Sequence, residues 1–145
     1  MKALRYSLKS VLGICMMLSL FLTSCDKNKE KDPAPDLATQ IEGNYAFTEV
    51  VIDGQTIPAT QTNIKGSVKI TRATETTVDV DLNIRQKTTN EDFLVGKVTG
   101  VIASQGSGII NLIYEGENVG SVKGNKLSIK SVDETDQEFT LVAVK

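Results

Sequence analysis

The chain has 145 residues, with 16 Lys and Arg against 18 Asp and Glu, no His, no Trp and two Cys, only one of which lies beyond residue 24. This excludes a His or Cys zinc site, a Ser-His or Cys-His nucleophile pair and a disulfide framework, so any catalysis would rest on carboxylates, Lys, Tyr or hydroxyls. Net negative charge without a Lys/Arg cluster also argues against a nucleic-acid partner, because phosphate-backbone binding depends on cations that replace condensed counterions.

Charge is unevenly spread. Residues 1–24 hold Lys2, Arg5 and Lys9 and no acid, which leaves 13 bases and 18 acids from Cys25 onward, a net charge of −5. The three bases precede an uncharged apolar run, Val11 to Leu22, in the layout of a bacterial secretory signal. The run is shorter than the roughly 20 apolar residues of a membrane-spanning helix. It ends in Leu22-Thr23-Ser24-Cys25, which resembles the lipobox of bacterial lipoproteins. The resemblance implies cleavage between Ser24 and Cys25, diacylglycerol on the Cys25 thiol and, usually, acylation of the freed amine. A plain secretory signal with a chance Cys at its border is the alternative, and the lack of any other mature Cys favours the lipobox. Cys15 is lost with the signal. Two or more acyl chains, at about 0.8 kcal/mol per buried CH₂, anchor a protein without any of its surface touching lipid. No cofactor beyond this covalent lipid is expected, and no metal.

Residues 25–36 are then the lipidated Cys and a tether. Asp26 to Asp36 carries three Lys, four acids, Pro33 and Pro35 and no large apolar residue, the composition of a solvated linker. Fully extended, it reaches roughly 36 Å. Its alternating charges up to Asp32 resemble the export stretch of surface lipoproteins of the Bacteroidota, and a simple spacer is the other reading. The expected location is the cell envelope, on the periplasmic or surface face of the outer membrane. Asp26 leaves the inner membrane open, since in enterobacteria Asp after the lipidated Cys tends to retain lipoproteins there.

Residues 37–145 suffice for one compact domain. Asp36 is placed to N-cap a helical turn over Leu37 to Glu42, with Leu37 and Ile41 on one face and Gly43 as the stop. Short Val-, Ile- and Thr-rich runs follow, separated by Gly, Asn and Asp, and predict eight strands near 44–52, 65–72, 76–86, 93–103, 108–115, 117–123, 126–132 and 137–144. The third is plainest: Val78, Val80, Leu82 and Ile84 alternate with Asp79, Asp81, Asn83 and Arg85, giving one buried and one wet face. Gly124-Asn125, Glu115-Gly116-Glu117 and Ala73-Thr74-Glu75 read as hairpin turns. Eight consecutive strands with no crossover helix predict an all-β, antiparallel, up-and-down barrel, which abolishes exposed edges, with a flattened β-sandwich as competitor.

Ile41-Glu42-Gly43-Asn44-Tyr45-Ala46-Phe47, a helical turn entering a first strand through Gly-x-aromatic, resembles the start of lipocalin-like (calycin-like) domains. Val122-Lys123-Gly124-Asn125-Lys126-Leu127-Ser128-Ile129 resembles a late hairpin of small lipocalin-like lipoproteins of the Bacteroidota. The resemblance implies a barrel end sealed by the aromatic residue, although Tyr45 stands where Trp is usual and the last strand holds no Arg to stack on it.

If Tyr45 and Phe47 face inward, strict alternation turns Glu49 and Val51 inward, and the Val68–Ile70 phase does the same for Arg72. Tyr45, Glu49 and Arg72 are therefore the candidate ligand-binding residues, since in fatty-acid-binding relatives an interior Arg meets the ligand carboxylate. The alternative, which the positions favour, is a bulge that shifts the first strand's phase and an Arg72 at a hairpin mouth in water. The acids have no evident partner to tune them for acid/base work. Ser104 to Gly108 reads as a connecting loop, and Tyr45, Phe47, Phe93, Tyr114 and Phe139 as core. The expectation is a non-enzymatic envelope lipoprotein whose barrel binds a small apolar ligand, or else an interaction or inhibitor module that meets another envelope protein. Interior volume separates the two: a pocket of roughly 300 Å³ or more favours a ligand, and a barrel filled by Val78, Val80, Leu82, Ile110, Leu112, Leu127, Ile129 and Leu141 favours the surface.

Overall fold

A computed structural model describes residues 34–133 and 135–145. The signal segment, Leu22-Thr23-Ser24-Cys25 and the tether up to Pro33 lie outside the described residues. A five-residue helix, α1 (Leu37–Ile41), leads into β1 (Gly43–Ile52), β2 (Gln55–Pro58), β3 (Ile64–Arg72), β4 (Thr77–Gln86), β5 (Asp92–Gln105), β6 (Ile110–Tyr114), β7 (Glu117–Lys123), β8 (Lys126–Val132) and β9 (Glu138–Val144). Neighbours pair antiparallel in the order β1-β3-β4-β5-β6-β7-β8-β9, and β9 pairs back onto β1, closing an eight-stranded barrel. That closure excludes the sandwich.

The turns carry the residues their backbones need. Glu115 and Gly116 take φ of 51° and 87° between Tyr114 and Glu117, the doubly left-handed geometry that matches strand twist. Asp53 and Gly54 do the same, at 50° and 76°, and fold β2 back on β1 through Ile52↔Gln55 and Glu49↔Pro58. β2 is the strand the sequence reading missed. It adds to the barrel wall beyond the point where β1 leaves β3, because β1 pairs with β3 only from Gly43 to Ala46.

The β1 register against β9 shifts between Phe47 and Glu49, leaving Thr48 as an extra residue. Phe47 and Val50 are therefore both buried, while Glu49 and Val51 fall on the outer face, so strict alternation ends at the bulge. Gly66, at φ 144°, lies so close to β4 that a Cβ would come within 2.0 Å of the Asn83 carbonyl oxygen. Only glycine fits this tight crossing of β3 and β4.

The core is continuous. Ala38 and Ile41 of α1 cap one end of the barrel over Tyr45, Val78, Val101, Leu112, Leu127 and Leu141. Asp36 caps α1 as expected, accepting from the Thr39 amide at 2.8 Å. At the other end, Ile57 of β2 and Ala59 of the following 3₁₀ turn (Ala59–Gln61) pack on the core beside Ile64, Ile84 and Val50. Lys87 pins that turn by donating to the Ala59 and Thr62 carbonyls. β2 and its turn thus cover the side of the mouth formed by β1, β3 and β4.

Candidate functional site

The closed end is held by four side chains, Asp36, Arg72, Tyr45 and Lys145. The Asp36 carboxylate that caps α1 also accepts from Arg72 Nε at 3.1 Å and Nη2 at 2.9 Å, tying the helix to the last residue of β3. The guanidinium holds Asp36 well below the usual carboxylate range, at about 2, and Asp36 raises Arg72 in turn. Tyr45, fully buried, donates its hydroxyl to the Ile41 carbonyl at 2.7 Å, and burial pushes it up to about 12. Lys145, just past β9, sets its Nζ 5.3 Å from the Tyr45 ring centroid and donates to the Gln40 and Glu42 carbonyls at 3.2 and 2.9 Å. The stacking cation that the last strand lacks is thus a lysine one residue beyond it, which also satisfies carbonyls at the helix end.

Tyr45 and Arg72 therefore share the closed end. Glu49 sits on the outer wall, accepting from Lys126 Nζ at 2.7 Å. Among the described residues, none of the three lines the three principal concave spaces.

A surface groove of about 430 Å³ runs beside α1, along Gln40, Ile41, Ile109, Ile110 and Val122, and two further concave spaces lie at the opposite end. An inner cavity of about 170 Å³ is lined by Val80, Leu82, Leu94, Val98, Val101, Leu112, Tyr114, Val119 and Ile129, together with Lys130 and Ser131. An outer cleft of about 710 Å³ shares Val119, Lys130 and Ser131 with it and adds Asp53, Glu117, Asn118 and Glu138. Local irregularities in the strands shape this end. β7 is bulged opposite Leu112 and Ile113, which leaves Val119 over the core, and β5 is bulged at Phe93, opposite Ile84 and Arg85. Phe93 is thereby freed from the ladder and meets Phe139 with ring centroids 5.9 Å apart. β5 and β9 are four strands apart by either path around the barrel, so this aromatic pair bridges the mouth. Phe93 and Tyr114 are 43% and 36% exposed, which corrects their assignment to the core; Tyr45, Phe47 and Phe139 are buried as expected.

Chemically, the inner cavity is a small apolar receptacle, and no polar side-chain atom is left buried without a partner among the described residues. Nor do the described residues gather three metal-ligating side chains or contain a helix long and apolar enough to cross a membrane. An apolar cavity of about 150 Å³ suffices for benzene, so this one suits a single ring or a chain of about six carbons. The barrel is filled at the α1 end and hollow toward the mouth; the inner cavity alone, at about 170 Å³, falls short of the roughly 300 Å³ expected of a ligand site, and that volume is exceeded only when the outer cleft of about 710 Å³ is included. Of the mouth, the Glu115-Gly116-Glu117 turn and the interior positions Val80, Leu82, Leu112 and Ile129 are legible in the sequence; Asp53-Gly54 is also an Asp-Gly pair of the kind that marks a two-residue hairpin, and the other cleft residues carry no signal. Compared with protein-family models, with curated proteins and with solved structures, the chain matches none.

Proposed function

We propose that this protein is a lipid-anchored envelope lipoprotein whose lipocalin-like barrel is a non-enzymatic binding module for a small apolar or amphiphilic ligand. The observation that carries the reading is the apolar cavity of about 170 Å³ that opens into a larger polar cleft at the uncapped end of the barrel. Burying six methylenes at about 0.8 kcal/mol each offers close to 5 kcal/mol before association costs, an affinity in the millimolar to high-micromolar range. The anchor is supported by Leu22-Thr23-Ser24-Cys25 and the bases before it. An interaction module is the second reading, favoured by Val95 and Ile102, which stand exposed along β5.

Native mass spectrometry of the protein taken from its own envelope extract tests the ligand: a co-purifying small molecule, lost on substituting Val98→Phe in the cavity wall, is the expected result. A bare protein in both forms, with no response to added hexan-1-ol, refutes ligand binding. Cys25→Ser should abolish incorporation of labelled fatty acid and block removal of the signal, and persistent acylation or normal processing of the variant would refute the lipobox reading.

A further inference from the structure

The inner cavity and the outer cleft differ in kind, and the two together select a ligand. Of the eleven residues that line the inner space, nine are aliphatic or aromatic and only Lys130, Ser131 and the Tyr114 hydroxyl are polar, and the cavity is too small for a long acyl chain. Its outlet runs past Val119, Lys130 and Ser131 into a cleft where three carboxylates, Asp53, Glu117 and Glu138, face one ammonium, Lys130. Among the described residues Asp53 is engaged only by the neutral Gln137 amide, at 3.2 Å. Among the described residues Glu117, Glu138 and Lys130 have no ion-pair partner. The adjoining turns add Glu115, Asp133 and Asp136, so the excess of negative charge extends beyond the cleft.

We infer that the cavity takes a short amphiphile bearing a positive charge, its apolar group of about six carbons in the barrel and its ammonium among Asp53, Glu117 and Glu138 in the cleft. This rests on the binding-module reading and names the ligand class of the same site. Burial of the tail is indifferent to the sign of the head. A head in the cleft would meet a net charge that is negative even with Lys130 counted, in a concave site where charges are screened less than on an open surface. A carboxylate head would meet repulsion from three groups and attraction from one.

The test compares hexylammonium, hexan-1-ol, hexanoate and hexadecylammonium on the processed chain from residue 25 onward, with Cys25→Ser, by isothermal titration calorimetry at low salt. Hexylammonium should bind on the order of tenfold tighter than hexanoate, with hexan-1-ol between them and hexadecylammonium no tighter than hexylammonium. Glu117→Gln with Glu138→Gln, both exposed positions, should bring the ammonium-to-carboxylate ratio close to one, as should raising the salt to about 1 M. Lys130→Met should widen it.

Equal or tighter binding of hexanoate, or a ratio that the double substitution leaves unchanged, overturns the charge inference while leaving the binding module intact. Tighter binding of the sixteen-carbon chain overturns the size limit. Failure of all four probes to bind, or binding that Val98→Phe does not weaken, overturns the binding-module reading itself. Circular dichroism of each variant separates these results from loss of the fold.

Discussion

Replacing Tyr45 with Phe isolates the hydroxyl that joins α1 to the barrel. The ring stays buried and Lys145 can still lie over it, so the change removes one oxygen and one hydrogen bond, 2.7 Å long, to the Ile41 carbonyl. A buried hydrogen bond contributes about 1 kcal/mol net, and a buried acceptor left without its donor costs about 1–3 kcal/mol, so Tyr45→Phe should destabilise by about 1.5–2 kcal/mol. For a domain of this size that lowers Tm by roughly 7 °C or more. The loss should depend on pH in a stated direction. The folded hydroxyl titrates at about 12 against 10.0 for an ordinary tyrosine, so its contribution is complete below pH 10 and is lost as pH rises toward 12. Urea unfolding of both proteins from pH 7 to 12 measures this. Their difference should be constant to about pH 9.5 and then shrink, while lysine titration, common to both, cancels. A gap below about 0.5 kcal/mol at pH 7, or one that widens above pH 10, would refute the argument that a buried hydroxyl closes this end.

Gly66→Ala forces a Cβ into the Asn83 carbonyl at a left-handed φ and should cost roughly 3 kcal/mol or more, read as a fall in the urea midpoint; a neutral effect would mean that β3 and β4 do not cross this closely. Asp36→Asn keeps an N-capping side chain and removes the charge paired with Arg72. Because the Asp36 pKa is depressed to about 2 from 3.8, the pair's contribution is present above pH 4 and lost as pH falls toward 2, so the gap in urea midpoint between wild type and Asp36→Asn should close over that window. A gap that persists at pH 2 counts against the pair. Lys145→Met should raise amide hydrogen exchange in α1 selectively, since it removes donors to the Gln40 and Glu42 carbonyls, and uniform or unchanged exchange would contradict that role.

Much of the fold is legible locally. β4 could be read from Val78 to Ile84 because a strand with one wet face needs only alternation, and α1 from Asp36 because capping is a contact over three residues. β2 escaped for an equally physical reason: Gln55-Thr56-Ile57-Pro58 offers one aliphatic side chain and ends in a residue that cannot donate to a ladder, although Asp53-Gly54 announces the turn. The candidate residues Glu49 and Arg72 depended on phase. One bulge at Thr48 sends Glu49 to Lys126, 77 residues away, and Arg72 meets Asp36 only because α1 folds over the barrel end.

By itself the sequence determined the eight strands that close the barrel, most of their turns, the helical turn at the start of the domain and the apolar filling of the barrel near α1, since each follows from periodicity or from contacts a few residues long. It also carried the absence of His and Trp, which narrows the chemistry whatever the fold. Tertiary structure decided which end is closed and which is open. Lys145 over Tyr45, Phe93 against Phe139 and the convergence of Asp53, Glu117 and Glu138 each join strands distant in sequence. Bulges and barrel closure, which have no period of their own, are what brought those residues together.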